Sequence, residues 1–179
     1  MKKFRLLNAD EIECRVSQTT DKGLFLLLYK DARCDMNILD ETVGAENWER
    51  EHTRDNQNCI VRIWDDTKKL WVSKEDTGTA SNTEAEKGLA SDSFKRACFN
   101  WGIGRELYTA PKIWIPADKC NLKPNAKTGK PTCYDKFSVA KLTYDENGCI
   151  NNIAIKNDSF KDENGKIKPI VAFVYQGGK

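Results

Sequence analysis

The sequence lacks the long apolar runs that cross a membrane, and we expect no signal peptide. No apolar run approaches the roughly 20 residues that a membrane-spanning helix needs. Residues 1–16 contain lysines but no apolar segment of the kind found in signal peptides. We therefore expect a cytoplasmic protein with no membrane partner.

Metal ligands are also scarce. The sequence has one histidine, His52, and seven cysteines that are scattered without a C-x-x-C pair. A zinc site needs clustered Cys or His ligands, and a reducing cytoplasm keeps thiols free. We expect free structural thiols, no metal and no cofactor, with His52 solvated or at a strand edge.

Motifs for catalysis are missing or incomplete. No serine has a G-x-S-x-G setting, and residues 125–132 lack the first glycine and the Ser/Thr of a phosphate-binding loop. The W-G-I-G-R segment at 101–105 ends a predicted helix, whereas a dinucleotide fingerprint opens one. Asp65, Asp66 and Lys68 could form a nuclease site, but they fall in a predicted turn. We predict that the protein is not an enzyme.

Charge is small in total and uneven along the chain. The net charge is +2, but residues 31–55 carry eight acids against three arginines, a balance of −5. Residues 87–112 carry five bases against two acids, a balance of +3, and residues 112–136 carry six lysines against two aspartates. This segregation predicts an acidic face and a basic face, and ordinary solvated surface remains the alternative.

Hydrophobic spacing and turn residues predict an α+β fold, in which an antiparallel meander packs on a long helix and a smaller β-rich appendage follows. Residues 1–16 are expected to form a small helix or an arm, and 23–29 a strand or the start of a buried helix. The expected elements are a helix at 32–43 between Asp31 and Gly44, strands at 48–53, 59–64 and 71–78, a helix from a Thr83–Glu86 capping box to about Trp101, a short turn of helix at 105–108, a loop at 116–132, a hairpin at 143–155 and a strand at 167–175.

The long helix is expected to be amphipathic. Its spacing places Lys95 and Arg96 on the flank and far side of an apolar stripe. The stripe is predicted to comprise Ala90, Phe94, Ala97, Cys98 and Trp101.

Two segments resemble a known family. M-N-I-L-D-E-T-V-G-A-E-N-W at 36–48 and E-K-G-L-A-S-D-S-F-K-R-A-C-F-N-W-G-I-G at 86–104 flank the meander. Together they resemble the single-strand annealing domain of the Rad-fifty-two family, in its phage and bacterial Sak-type branch. The resemblance covers about residues 20–110, and residues 111–179 lie outside it.

The resemblance implies a β-β-β-α core in each subunit, a homo-oligomeric ring, and single-stranded DNA held in a basic groove without ATP. Lys95 and Arg96 match the family's Lys-Arg pair that grips the phosphate backbone. Arg33 lies near its groove-lining arginine, although strict spacing puts Cys34 there. The family's further arginine is Phe99 here.

We therefore expect an ATP-independent annealing protein for homologous recombination in a bacterial or phage-infected cytoplasm. The annealing core is expected at 1–115 and the β-hairpin/strand appendage at 116–179, with one shared domain as the alternative. A host or phage single-strand binding protein is a candidate partner. A protein-interaction module and a metal-dependent nuclease remain the rival functions. The expected DNA-binding residues are Lys95, Arg96, Arg33, Lys87, Arg105, Lys74 and Arg62.

Overall fold

The computed structural model describes residues 3–79 and 85–177, and it leaves the side chains of 85–87 undescribed. The chain forms two compact units. Unit 1 comprises Met1–Leu6 and Lys30–Arg105, and unit 2 comprises Leu7–Tyr29 and Glu106–Lys179. In sequence, most of unit 1 is therefore an insertion within unit 2. Over the described ranges, no helix has both the length and the apolar character needed to span a bilayer.

Strand residues outnumber helix residues in the described chain. Short 3-10 turns lie at Ala9–Glu11, Ala45–Asn47, Arg105–Thr109 and Ala117–Lys119. The longer elements are β1 (Glu13–Thr20), β2 (Gly23–Tyr29), α1 (Ala32–Val43), β3 (Trp48–Thr53), β4 (Asn58–Asp65), β5 (Leu70–Thr77), α2 (Ala85–Trp101), β6 (Ile113–Pro116), β7 (Leu122–Pro124), β8 (Pro131–Cys133), β9 (Phe137–Tyr144), β10 (Ile150–Asn157) and β11 (Ile170–Gln176).

Helix α1 begins and ends at the residues that the sequence predicts. The Asp31 side chain accepts a hydrogen bond of 2.9 Å from the Cys34 backbone N–H, which satisfies one of the helix's free donors. At the other end Gly44 adopts φ +90°, which glycine tolerates best, and the helix stops there. Ile38 and Leu39 are the fully buried apolar residues of this helix.

In unit 1, β3, β4 and β5 form an antiparallel sheet in that order, close to the three predicted strands. Helix α2 lies against β4 and β5, and the Trp101 Nε1–H donates to the Val61 carbonyl at 3.1 Å. The Phe94 ring stacks on the Trp48 ring with centroids 6.0 Å apart. Of the predicted helix stripe, Phe94, Ala97, Cys98 and Trp101 are buried, and Ala90 is partly exposed.

Gly78, just after β5, allows the backbone of α2 to pack closely against the chain at the end of β5. A Cβ at this position would lie 2.5 Å from the Ser93 backbone nitrogen and 2.9 Å from the Leu89 carbonyl oxygen. Because helix backbone cannot rotate away as a side chain can, Gly78→Ala is expected to lower the free energy of unfolding by about 1–3 kcal/mol. Urea unfolding measures this, with Ser73→Ala on the exposed side of β5 as the control. Equal stability of the two variants would contradict the prediction.

Unit 2 contains a six-stranded sheet in the order β11-β10-β9-β1-β2-β6, which is nearly closed like a barrel. Its inner side is apolar and includes Leu24, Ile115, Ile153 and Ile155, all at most 1% exposed. Strands β9 and β10 form the hairpin predicted around 143–155, with the turn closed by a Gly148 N–H to Asp145 carbonyl bond of 3.0 Å. Strand β11 confirms the predicted final strand.

The predicted fold class is wrong. The six-stranded, nearly closed sheet is the largest element of the fold, so the chain is not a long helix on a meander with a smaller β appendage. The difference begins with the first two strands. Residues 1–16, predicted as a helix or an arm, include the start of β1, and residues 23–29 form β2, which is one of the two alternatives that the sequence left open. Both strands pair with others from beyond residue 112.

Two smaller predictions also need comment. The loop predicted at 116–132 contains β7 and the start of the short strand β8, which pairs with it. The Thr83–Glu86 capping box lies outside the described residues. All seven cysteines are free thiols, as predicted, and five of them are buried.

Candidate nucleic-acid interface

Lys95 and Arg96 are neighbours on α2 but project to different sides of it. A step of one residue turns a helical side chain by about 100°. The Lys95 side chain is 21% exposed and its Nζ lies 4.0 Å from Asp92 Oδ1. The Arg96 side chain is 49% exposed and its Nε lies 3.3 Å from Oδ1 of Asp76 on β5. Arg96 thus lies on the β5 side of α2. Lys95 lies toward α1, where its positive charge acts to lower the pKa of Asp35.

Two further predicted cations meet at the C-terminal end of α2. Arg105 donates from Nε to the Phe99 carbonyl at 2.8 Å and from Nη2 to the Asn100 carbonyl at 2.9 Å. Lys74 donates from Nζ to the same Asn100 carbonyl at 2.7 Å, and this Nζ lies 4.7 Å from the Trp101 ring centroid. Cations at the C-terminal end of a helix interact favourably with the partial negative charge there. Lys74 and Arg105 therefore hold the end of α2 in place.

Asn100 and Asp76 link this pair to Arg96. The Asn100 amide Nδ2 donates to the Glu75 carbonyl at 3.0 Å and to Asp76 Oδ2 at 3.3 Å, while Asp76 Oδ1 faces Arg96. We call Lys74, Arg96 and Arg105 the α2 cation cluster. Three separate sequence segments supply it, and Arg96 is its most available member because its partner is a single carboxylate.

The structure places the other predicted cations elsewhere. Arg62 lies on the side of β4 that faces away from α2, where its guanidinium donates to Glu49 at 3.2 Å and to Glu51 at 2.7 Å. The hydrogen bond that Arg62 donates to Glu51 is the main reason why the pKa of Arg62 is raised. Arg33 is exposed in the first turn of α1. The side chain of Lys87 lies outside the described part of the chain.

The sequence did not indicate a buried ion pair, Lys30 with Asp35, that lies near Lys95. Lys30 Nζ donates to Asp35 Oδ1, and both side chains are buried. Burial raises the pKa of Asp35 to about 6, although the charge and hydrogen bond of Lys30 oppose that rise. Asp35 Oδ2 has no hydrogen-bond partner within the described ranges. Gly104 makes room for the pair, because a Cβ there would overlap Cε of Lys30.

A further missed cation is Arg50 on β3. Its guanidinium carbon lies 4.8 Å from the Phe94 ring centroid, and the residue is exposed. Arg50 pairs with Val61, so it shares the α2 side of the sheet. The alternation of Trp48, Arg50 and His52 is the sequence signal that could have placed Arg50 there.

The residues considered for catalysis have structural roles. Asp65 Oδ1 accepts from the backbone N–H groups of Thr67 and Lys68 at 3.0 and 3.1 Å, and these bonds help to lower its pKa. His52 lies on the edge strand β3, as predicted, with Nδ1 3.4 Å from Ser93 Oγ, and burial lowers its pKa. Within residues 3–79 and 85–177, no group of three or more His, Cys, Asp or Glu side chains could hold a metal ion.

The chain is similar to curated single-stranded DNA-binding proteins. It is 34% identical over 101 residues to the single-stranded DNA-binding protein DdrA of Deinococcus radiodurans, a match that covers 55% of this chain and 48% of that protein. It is 40% identical over 57 residues to the DdrA protein of Deinococcus deserti, covering 31% and 28% respectively. The matches thus span about half the length of one relative and less of the other.

The similarity to these two proteins does not support a more specific family assignment. No family model matches the chain, and no solved structure gives a significant match. The similarity is to proteins named for binding single-stranded DNA, and it does not reach the Sak-type branch that the sequence motifs suggested.

Proposed function

We propose that this chain binds single-stranded DNA and anneals complementary strands without ATP in homologous recombination or repair. The observation that carries this proposal is the similarity to two proteins named as single-stranded DNA-binding proteins. On α2, Arg96 is exposed and Lys95 is partly exposed, and both can meet a phosphate backbone. The proposed annealing activity, the role in recombination and the bacterial or phage-infected cytoplasm rest on the family resemblance of the motifs at 36–48 and 86–104.

Lys95 and Arg96 are the proposed phosphate contacts. Neither is fixed by more than one carboxylate at short distance, so each can exchange that partner for a phosphate oxygen. Contacts of this kind hold the strand without reading its sequence, as annealing requires. Arg33, Lys87, Arg105, Lys74 and Arg62 stay secondary predictions. Among these, Lys74, Arg105 and Arg62 already donate to other groups in unit 1.

No catalytic step is part of the proposal. Strand annealing exchanges hydrogen bonds between bases and makes no covalent bond, so the protein needs only to hold strands in a pairing-competent state. The division of function between an annealing core at 1–115 and residues 116–179 also stays a prediction, and it differs from the two compact units, in which Leu7–Tyr29 belong with Glu106–Lys179.

Ring assembly is the remaining part of the proposal. The acidic residues of 31–55 would meet basic residues of a neighbouring copy in a head-to-tail contact, which closes into a ring. Light scattering over a range of salt concentrations tests this, with an oligomer expected at low salt. A monomer at every salt concentration would contradict ring assembly and leave DNA binding to be judged separately.

The function itself is tested by mixing two complementary fluorescent oligonucleotides without ATP, beside a mobility shift on single- and double-stranded DNA. We expect faster annealing than in the absence of protein and tighter binding to single strands. Binding without annealing would reduce the proposal to strand protection. Absence of binding at low salt would overturn it and favour the protein-interaction module, whereas cleavage with added magnesium or manganese would favour the nuclease.

A further inference from the structure

The outward side of β2 in unit 2 is apolar and exposed. Phe25, Leu27 and Tyr29 alternate along the strand with the buried Leu24 and Leu26. Leu27 is 49% exposed and Tyr29 36% exposed. Because side chains alternate between the two faces of a strand, these three residues form one row on the outside of the sheet.

Neighbouring strands add rings and cations to this row. Phe25 pairs with Trp114 of β6, and Leu27 pairs with Arg15 of β1, so these side chains share the outer face. The Phe25 and Trp114 ring centroids lie 4.5 Å apart at 57°. We call Arg15, Phe25, Leu27, Tyr29, Lys112 and Trp114 the aromatic sheet face.

Each end of the row has a cation over a ring. Lys112 Nζ lies 4.6 Å from the Phe25 ring centroid, and the Arg15 guanidinium carbon lies 5.0 Å from the Tyr29 centroid. Glu13 also pairs with Arg15, at 2.5 Å. Arg15 therefore has one acidic partner and one ring, and its flat guanidinium is itself a surface on which a base can stack.

Positive charge continues across the sheet beyond this row. Lys156 of β10 pairs in register with Ser138 of β9, which pairs with Glu13 of β1, so all three share the outer side. Lys141 of β9 pairs with Ala154 on the same side. Glu13 lies 2.5 Å from Arg15, and Asp158 lies 3.8 Å from Lys156. Lys141 and Lys156 thus extend the positive charge of Arg15 and Lys112 across the outer side of the sheet.

The pattern fits a ligand that offers flat apolar rings and anionic groups in alternation. Single-stranded nucleic acid has this composition, since its bases stack on aromatic side chains while its phosphates meet lysine and arginine. Double-stranded DNA does not fit, because its base faces are already stacked within the helix. A protein partner would be favoured by an apolar centre without charges over the rings, which is not the arrangement here.

A second aromatic pair shows the contrast. Trp64 and Trp71 lie 5.7 Å apart on the side of the unit 1 sheet that faces away from α2. Their surroundings are acidic: the same side carries Glu49, Glu51 and Glu75 against Arg62. A polyanion is repelled there, so exposed aromatic rings alone do not define the proposed surface.

We propose that the aromatic sheet face is a second binding surface for single-stranded DNA, at which bases stack on Trp114 and Tyr29 and phosphates bind Lys112 and Arg15. This inference rests on the proposed single-strand binding and adds a contact that unit 1 does not supply. Base stacking supplies affinity at this face that phosphate contacts alone do not.

Photo-crosslinking of the full chain to an oligothymidylate carrying 5-iodouracil tests the position of the contact. After trypsin digestion, crosslinks are expected on peptide 23–30, which contains Phe25 and Tyr29, and on peptide 113–119, which contains Trp114. Crosslinks found only on other peptides would overturn the inference while leaving single-strand binding intact. Failure of the unmodified chain to bind the oligonucleotide would instead overturn the proposed function.

Affinity measurements by fluorescence anisotropy test the energetic role. Trp114→Ala with Tyr29→Ala removes both stacking rings and is expected to weaken binding at least about thirtyfold, since each lost base–ring stack weakens binding by about fivefold or more. Trp114→Phe keeps a ring and should retain most of the affinity. Tyr134→Ala, which removes a ring that is 77% exposed elsewhere in unit 2, and Trp71→Ala are the controls and should bind as the parent does. Equal affinity of the double variant and the controls would overturn the inference and assign the face to another occupant, such as a protein.

A charge variant separates the phosphate contacts from the base stacking. Arg15→Ala with Lys112→Ala leaves the rings in place and is expected to reduce the slope of log affinity against log salt by about 1.4, or about 0.7 for each lost phosphate contact. Lys127→Ala, in an exposed turn of unit 2, should leave the slope unchanged. An unchanged slope in the double variant would contradict the phosphate role of these two residues.

Discussion

Asp35→Ala is expected to lower the free energy of unfolding by about 3–5 kcal/mol, the usual cost of removing one partner from a buried ion pair. The Asp35 carboxylate is fully buried and accepts a hydrogen bond from Lys30, whose side chain is 7% exposed. Without Asp35, the Lys30 ammonium remains buried with its charge unpaired, which is a large desolvation cost. Urea unfolding followed by tryptophan fluorescence measures the loss.

The matched control removes both charges. Lys30→Met with Asp35→Leu also removes Asp35 Oδ2, the buried oxygen that lacks a hydrogen-bond partner within the described ranges. This double variant is expected to unfold within about 1 kcal/mol of the parent, or to be more stable, because apolar side chains of similar size often replace a buried pair without loss. An equal loss in the single and double variants would show that packing, and not the unpaired charge, causes the effect.

The pair also imposes a sign on the pH dependence of stability. Burial raises the pKa of Asp35 from 3.8 to about 6, so between these pH values the folded chain holds more of this proton than the unfolded chain. The contribution of Asp35 to the free energy of unfolding therefore falls as pH rises through this window. Asparagine does not titrate. A plot of the free energy of unfolding of Asp35→Asn against pH should therefore lack this contribution to the slope.

Lys95→Ala with Arg96→Ala is expected to weaken single-strand binding about tenfold at physiological salt and to reduce the salt slope by about 1.4, since each single-strand phosphate contact contributes about 0.7. The loss should be the same for oligonucleotides of different sequence, because phosphate contacts do not distinguish bases. Anisotropy titrations at several salt concentrations measure both quantities.

A matched pair of cations in the same unit controls for total charge. Lys68→Ala with Lys69→Ala removes two adjacent lysines that are 65% and 75% exposed in the turn between β4 and β5. This variant should keep the affinity and the salt slope of the parent. A similar loss in both variants would mean that general charge accounts for the binding, and a loss confined to one DNA sequence would argue against backbone contact by Lys95 and Arg96.

Local sequence signals predicted the elements of unit 1 well. Helix α1 has an N-cap at Asp31 and a stop at Gly44, both set by residues next to the helix, and the three meander strands are close in sequence. The same signals predicted the β9–β10 hairpin and β11 of unit 2 but missed its six-stranded sheet, because β1 and β2 pair with β9 and β6, which lie more than 80 residues away along the chain. Residues 23–29 are apolar at nearly every position, so their spacing gave no period and no face.

The candidate site shows the same limit. The position of Lys95 and Arg96 on a helix flank follows from a period of 3.6 residues, and the structure agrees with it. The contacts of Arg62 and Arg105 depend on what lies across a strand or beyond a helix end. No spacing in the sequence indicates that Arg62 faces Glu49 and Glu51, or that Arg105 donates to Phe99 and Asn100.

The insertion of unit 1 into unit 2 bears on how the chain folds while it is being made. All residues of unit 1 have left the ribosome once Arg105 has emerged, whereas the six-stranded sheet still lacks β6, β9, β10 and β11. Strands β1 and β2 therefore have only each other as partners until β6 emerges, and β1 gains its second partner only with β9. Isolated hairpins are only marginally stable in water, so the leucines of β2 are unprotected during this interval and the newborn chain is prone to aggregate.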